Sequence, residues 1–229
     1  MLASFIGTIA GFGSSALMVA VLLFFFPLGQ VLLLVGIIHW FNDLWEIIMF
    51  RKGFHWKLIL TFGIPGLIAA VLGARLIIDA PEELLIRTLG VLLLIYVIYL
   101  LTKHTFKIPG NNATAVTGGA LSGLLAGVLG IGGPIRSAAL LAFNLPKSAY
   151  LTTVGAVAML VDTSRIATYL LDGQRLETTI LYGLIIFIPI TYLGALLAKQ
   201  VINRINQQTF TTLVAALLGV IALKFLIIP

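Results

Sequence analysis

The chain has 229 residues, of which 60% are hydrophobic and only 10% charged, and its mean hydropathy is +1.14. Soluble domains carry about 25% charged residues, and one core of this size could not bury so much apolar surface. The composition therefore excludes a soluble enzyme, a disordered chain and a secreted disulfide scaffold, and the lack of cysteine excludes thiolate metal sites. The basic residues behind the net charge of +6 lie mostly between apolar runs, which indicates membrane flanks rather than nucleic-acid binding.

Apolar segments follow one another along the whole chain. A membrane-spanning helix needs about 20 apolar residues, so we predict an all-α integral membrane protein. No basic region precedes the first segment, and we therefore do not expect it to be a cleaved signal peptide. Pro81, followed by Glu82 and Glu83, predicts a helix start. The eight segments are 1–26, 28–50, 57–78, 83–103, 112–143, 148–171, 176–200 and 205–227.

The two halves of the chain resemble each other. Residues 7–11 (GTIAG) match residues 123–127 (GLLAG), and a glycine-rich break follows each match. Asp43 and Asp162 then lie in the middle of the second segment of each half. We predict two homologous four-segment repeats, as transporters often have. The repeats are 1–103 and 112–229, joined by a linker at 104–111.

The repeats can run parallel or inverted. Four full crossings in each half give parallel repeats. If the glycine-broken first helix of each repeat is instead re-entrant, each half crosses three times and the repeats are inverted. Loop arginines and lysines divide more unevenly between the two faces in the inverted arrangement, which the positive-inside rule favours. That arrangement places both termini outside the cytoplasm.

Four glycines and Pro134 within residues 127–134 predict a break in the fifth segment. Pro134 can begin a new half-helix, since a first-turn residue needs no amide donor. The free N–H groups and positive dipole of such a helix start attract anions, and Arg136 adds a full charge. Close packing through Gly123 and Gly127 is the structural alternative. Residues 13–15 (GSS) form the counterpart in the first segment.

The repeated glycine motif also carries a resemblance to a known family. Residues 123–134 (GLLAGVLGIGGP), duplicated in an eight-segment chain of this length, resemble the sulfite exporter TauE/SafE family. The resemblance implies a permease for sulfite, organosulfonates or related anions in the cytoplasmic membrane of a bacterium or archaeon. The first repeat departs from the pattern, because residues 11–15 read GFGSS where many members have a run of glycines.

Polar residues inside the apolar segments are further candidates, since a charge in a membrane span is costly unless paired or hydrated. His39, Asn42, Asp43 and Glu46 share one helical face of the second segment. His39 can carry a proton near neutral pH, and pairing with Arg51 or Lys52 is the structural alternative for Glu46. We predict a coupling or gating role for His39, Asn42, Asp43 and Asp162.

Two arginines lie well inside segments of the second half. Arg165 is one turn from Asp162, and the two can pair within the helix. Arg136 follows the glycine break. A guanidinium presents a planar fork that suits an oxyanion. The predicted substrate-binding residues are Gly13, Ser14, Ser15, Gly130, Gly132, Gly133, Arg136 and Arg165.

These features predict a secondary transporter that exports a small sulfur-containing anion by alternating access. The sequence contains no nucleotide-binding motif, so we do not expect ATP to drive transport. Neither a cofactor nor a metal is expected. An anion channel of the same architecture is one alternative. An intramembrane enzyme with Ser14 or Ser15 as nucleophile and His39 as base is another, although no Gly-x-Ser-x-Gly motif is present. The expected partners are the anion, the lipid bilayer and coupled protons but no nucleic acid, and a homodimer is left open.

Overall fold

The computed structural model describes residues 14–50, 53–102, 108–201 and 207–228. These residues form nine helices and no strand, in agreement with the predicted all-α fold. Within the described residues, each predicted apolar segment contributes one helix, except the fifth, which contributes two. The helices are α1 (Ser15–Leu22), α2 (Leu28–Phe50), α3 (Trp56–Asp79), α4 (Glu82–Thr102), α5 (Asn112–Leu129), α6 (Gly133–Leu141), α7 (Lys147–Leu171), α8 (Thr178–Val201) and α9 (Gln207–Ile227).

Four of the described helices are long and apolar enough to cross a membrane. They cover Leu28–Met49, Trp56–Ile77, Asn112–Leu129 and Ser148–Leu171. On α3, every fourth residue from Leu60 to Leu76 is a large apolar side chain that is more than half exposed. Such a stripe would be unfavourable in water but faces lipid in a bilayer. The protein is therefore a multi-pass membrane protein.

Local sequence explains where several helices begin. The Asn111 side chain accepts a hydrogen bond from the Thr114 amide at 2.9 Å, which caps α5. His55 caps α3 in the same way by accepting from Leu58. Helix α4 begins at Glu82, as predicted, and the Glu82 carboxylate also accepts from the Leu28 amide at 2.8 Å. One acidic residue thus fixes the starts of two helices.

Helices from the first half of the chain pack against helices from the second half. Helix α2 lies against α7 and α8, α3 lies against α5 and α7, and α4 lies against α9. The polar residues predicted on α2 and α7 therefore face each other across a helix–helix contact. The repeat relationship and its orientation stay predictions.

Glycines bring the backbones of α3 and α5 into direct contact. Gly119, Gly123 and Gly127 follow one another every fourth residue on the face of α5 that touches α3. A Cβ atom at Gly123 would collide with the Gly66 carbonyl, and one at Gly127 with the Ala70 carbonyl. The packing role predicted for Gly123 and Gly127 is confirmed, because small residues let transmembrane helices approach this closely.

We expect a Gly123→Ala substitution to destabilise the protein by about 1–3 kcal/mol, since the added methyl group must push α3 and α5 apart. Gly219→Ala on α9 is the matched control, because a Cβ there would lie 3.7 Å from its nearest neighbour, Val97. That substitution should be neutral or stabilise by up to about 1 kcal/mol, since alanine is the better helix former. Thermal unfolding in detergent measures both. Equal melting temperatures for the two variants would contradict the packing argument.

Candidate functional site

The predicted break in the fifth segment lies between α5 and α6. Gly130 ends α5 in the left-handed conformation with φ 71°, and its amide donates to the Ala126 carbonyl at 3.0 Å. The Ile131 amide then donates to Leu125 at 3.3 Å, which completes a glycine C-cap. Helix α6 begins at Gly133 with Pro134 in its first turn. The chain thus starts a new half-helix within the bundle, as the glycines and Pro134 predict.

A serine holds the unwound backbone in place. The Ser122 hydroxyl donates to the Gly132 carbonyl at 2.9 Å, and both residues are buried. Unwound backbone at membrane depth needs such a partner because lipid offers none. The sequence-based reasoning did not identify Ser122. The available signal was that Ser122 is the one polar side chain between residues 118 and 130.

Arg136 lies in the second turn of α6, next to the predicted anion-binding helix start. Its side chain is only 2% exposed, and its Nε atom has no hydrogen-bond partner in the described part of the chain. Its charge is close enough to act on the carboxylates of Asp43 and Asp162. The first N–H groups of a helix have no partner within the helix. The start of α6 therefore combines backbone donors with a buried guanidinium.

The starts of α1 and α6 border the same cavity. Ala16 of α1 and Ile131, Pro134 and Ile135 at the break line a largely apolar space of about 270 Å³. Ser14 and Ser15, two of the predicted binding residues, are buried and directly precede Ala16 in the chain. Within the described ranges, the Ser14 Oγ atom has no hydrogen-bond partner. Gly13 lies outside the described residues.

Three side chains predicted on α2 and α7 form a buried hydrogen-bonded cluster. The Nδ1 atom of His39 lies 2.7 Å from Oδ2 of Asp162 and 3.0 Å from Oδ2 of Asp43. Because Nδ1 can carry only one proton, it can donate fully to only one carboxylate, and Asp162 is the closer. The Nε2 atom of His39 has no partner within the described ranges. The histidine thus joins a carboxylate of its own helix to one from the facing helix.

Arg165 connects this cluster with the helix break. Its Nε atom lies 2.7 Å from Oδ1 of Asp162, which confirms the predicted ion pair within α7. The guanidinium packs against Gly36, and its Nη1 atom lies 3.6 Å from where a Cβ of Gly130 would be. Among the described residues Nη1 has no hydrogen-bond partner. One buried arginine therefore pairs with the Asp162 carboxylate and lies beside Gly130 at the helix break.

Tyr169 belongs to the same site, although the sequence-based reasoning did not identify it. Its hydroxyl donates to the Gly127 carbonyl in the last turn of α5, and the side chain lies near Arg165. Asp162, Arg165 and Tyr169 share one face of α7, since they are spaced by three and four residues. That spacing was the available signal.

Asn42 and Glu46 extend the polar face of α2. Both are buried, and Nδ2 of Asn42 donates to Oε1 of Glu46 at 3.3 Å. Glu46 is thus bonded to its own helix. Its predicted partners Arg51 and Lys52 lie outside the described residues.

The contacts of His39 also bear on two alternative roles, as a metal ligand and as the base of a serine enzyme. His39, Asp43 and Asp162 have the residue types of a metal site, and their ligand atoms lie within 4.8 Å of one another. Nδ1 is already hydrogen-bonded to one carboxylate, however, and Arg165 holds the other oxygen of that group, which favours a proton over a metal ion.

A serine enzyme would need a bond from Ser14 or Ser15 to His39. Nδ1 faces carboxylates instead, and within the described ranges neither Nε2 nor Ser14 Oγ has a partner.

Comparison with known proteins identifies the family. A family model described as Sulfite exporter TauE/SafE matches residues 1–225. No curated protein and no solved structure was found to match the chain.

Proposed function

Because the chain belongs to the sulfite exporter TauE/SafE family, we propose that it exports a small sulfur-containing anion, such as sulfite or an organosulfonate, by alternating access. The membrane it occupies would be the cytoplasmic membrane of a bacterium or archaeon. The family match supports an anion permease, and the apolar helices support a multi-pass membrane protein.

The observation that carries the proposal is the buried Arg136 beside the start of α6. A buried guanidinium with an unpaired donor is costly, so its charge needs a partner that the described protein does not fully supply. An oxyanion fits this need because the guanidinium and the N–H groups of the helix start both donate to it. We assign the backbone donors to Gly132 and Gly133.

Arg165 and the start of α1 complete the proposed site. Arg165 Nη1 lies next to Gly130 without a hydrogen-bond partner in the described chain. Ser14 and Ser15 bring hydroxyls to the other helix start that borders the cavity. Gly13, which lies outside the described residues, stays a predicted binding residue. An anion between the two helix starts would then meet donors from both halves of the chain.

Transport by purified protein in liposomes tests the proposal. We expect uptake of labelled sulfite to saturate and to be accelerated by unlabelled sulfite on the opposite side, because a carrier exchanges its substrate. A channel of the same architecture would conduct sulfite without such counter-transport. Liposomes containing the protein that take up sulfite no faster than empty liposomes would refute the proposed function.

A further inference from the structure

We propose that His39 takes up a proton when the anion binds, so that protons and anion are coupled through His39, Asp43 and Asp162. The inference rests on the proposed function, since it describes what accompanies the anion.

The geometry leaves one nitrogen of His39 open. Nδ1 donates to Asp162 at 2.7 Å, while Nε2 has no partner in the described part of the protein. A neutral imidazole can therefore hold its proton on Nδ1 and accept a second one on Nε2. Oδ2 of Asp43, 3.0 Å from Nδ1, also lacks a hydrogen-bond partner among the described residues. This carboxylate lies where it can stabilise the positive charge of a protonated imidazole.

The charges around His39 favour proton uptake with an anion. With His39 neutral and the other groups ionised, the carboxylates of Asp43, Glu46 and Asp162 outnumber the guanidinium groups of Arg136 and Arg165 by one. A further negative charge would be repelled strongly in this buried region. One proton taken up by His39 as the anion binds offsets this repulsion.

The remaining helices packed against α2 do not alter this balance. Helix α1 contains no ionisable side chain, and the charged residue of α8, Lys199, lies in its last turn. The tyrosines on these elements are Tyr150 and Tyr169 on α7 and Tyr182 and Tyr192 on α8.

Calorimetric titration with sulfite at alkaline pH, in two buffers of different ionisation enthalpy, counts the protons taken up. We expect the wild-type protein to take up about one proton more per bound sulfite than His39→Gln. Sulfite's own proton contributes equally to both, so the difference belongs to His39. We also compare the sulfite affinity of the wild type with that of His39→Gln. Above the pH at which His39 loses its proton, the ratio of these affinities should fall about tenfold for each pH unit. His55→Gln, at the exposed start of α3, should match the wild type.

The outcomes separate the two proposals. Equal proton counts for wild type and His39→Gln, with saturable sulfite binding in both, would overturn the coupling and leave the transporter intact. Absence of sulfite binding in wild-type protein would overturn both.

Asp43→Asn gives a second measurement if His39→Gln does not fold. This variant keeps His39 and its bond to Asp162 but removes one neighbouring negative charge. We expect the affinity–pH profile for sulfite to move to lower pH, because the imidazole loses part of its electrostatic support. A profile identical to that of the wild type would count against the coupling.

Discussion

An Arg136→Gln variant is expected to bind sulfite about 100-fold more weakly than the wild-type protein, since it loses a buried, charge-assisted contact to the anion. Glutamine keeps a side-chain donor of similar length but removes the positive charge. Titration calorimetry or a binding assay on purified protein measures the change. The saturable part of sulfite uptake into liposomes should fall with it.

Arg87→Gln is the matched control for this substitution. Arg87 lies on the surface of α4, where it pairs with Glu83 at 2.9 Å. We expect its sulfite affinity to stay at the wild-type value, because an exposed ion pair on the outer surface does not reach the helix break. Unchanged affinity in a folded Arg136→Gln variant would remove Arg136 from the site.

Arg165→Met is expected to lower the free energy of unfolding by about 3–5 kcal/mol, because it leaves Asp162 buried without its guanidinium partner. Adding Asp162→Asn to the same chain should restore a large part of the loss, since the unpaired charge is then gone. Chemical unfolding of the wild type, both single variants and the double variant gives the interaction energy of the pair.

The surface pair offers a comparison for this cycle. Substituting Arg87 and Glu83 in the same way should give an interaction energy of less than about 1 kcal/mol, because solvent screens exposed charges. A similar small value for Arg165 and Asp162 would show that their charges are hydrated rather than buried. It would then count against Arg165 as a buried positive charge that lies between Asp162 and the helix break.

Features with a local cause were predictable from the sequence. Glu82 begins α4 and Gly130 ends α5 because a few neighbouring residues determine a helix start or a glycine cap. The ion pair of Asp162 with Arg165 was predictable for the same reason, since both lie on one turn of one helix. Burial of the polar face around His39 followed from the cost of leaving charge in lipid.

Contacts between helices were not predictable in the same way. His39 and Asp162 are 123 residues apart, and apolar segments of similar composition offer many faces for packing. Asp43 was matched with Asp162 by repeat position alone, yet both carboxylates meet at the Nδ1 atom of one imidazole. Ser122 and Tyr169 were missed because each bonds to a backbone carbonyl that becomes available only where the helices meet.

The backbone contact between Gly123 and Gly66 has a mechanical consequence. Two helices that touch without intervening side chains cannot slide or tilt against each other without opening a gap. A movement that preserves this contact carries α3 of the first half together with α5 of the second half. In such a movement, the boundary between the moving parts does not run between the first and second halves of the chain.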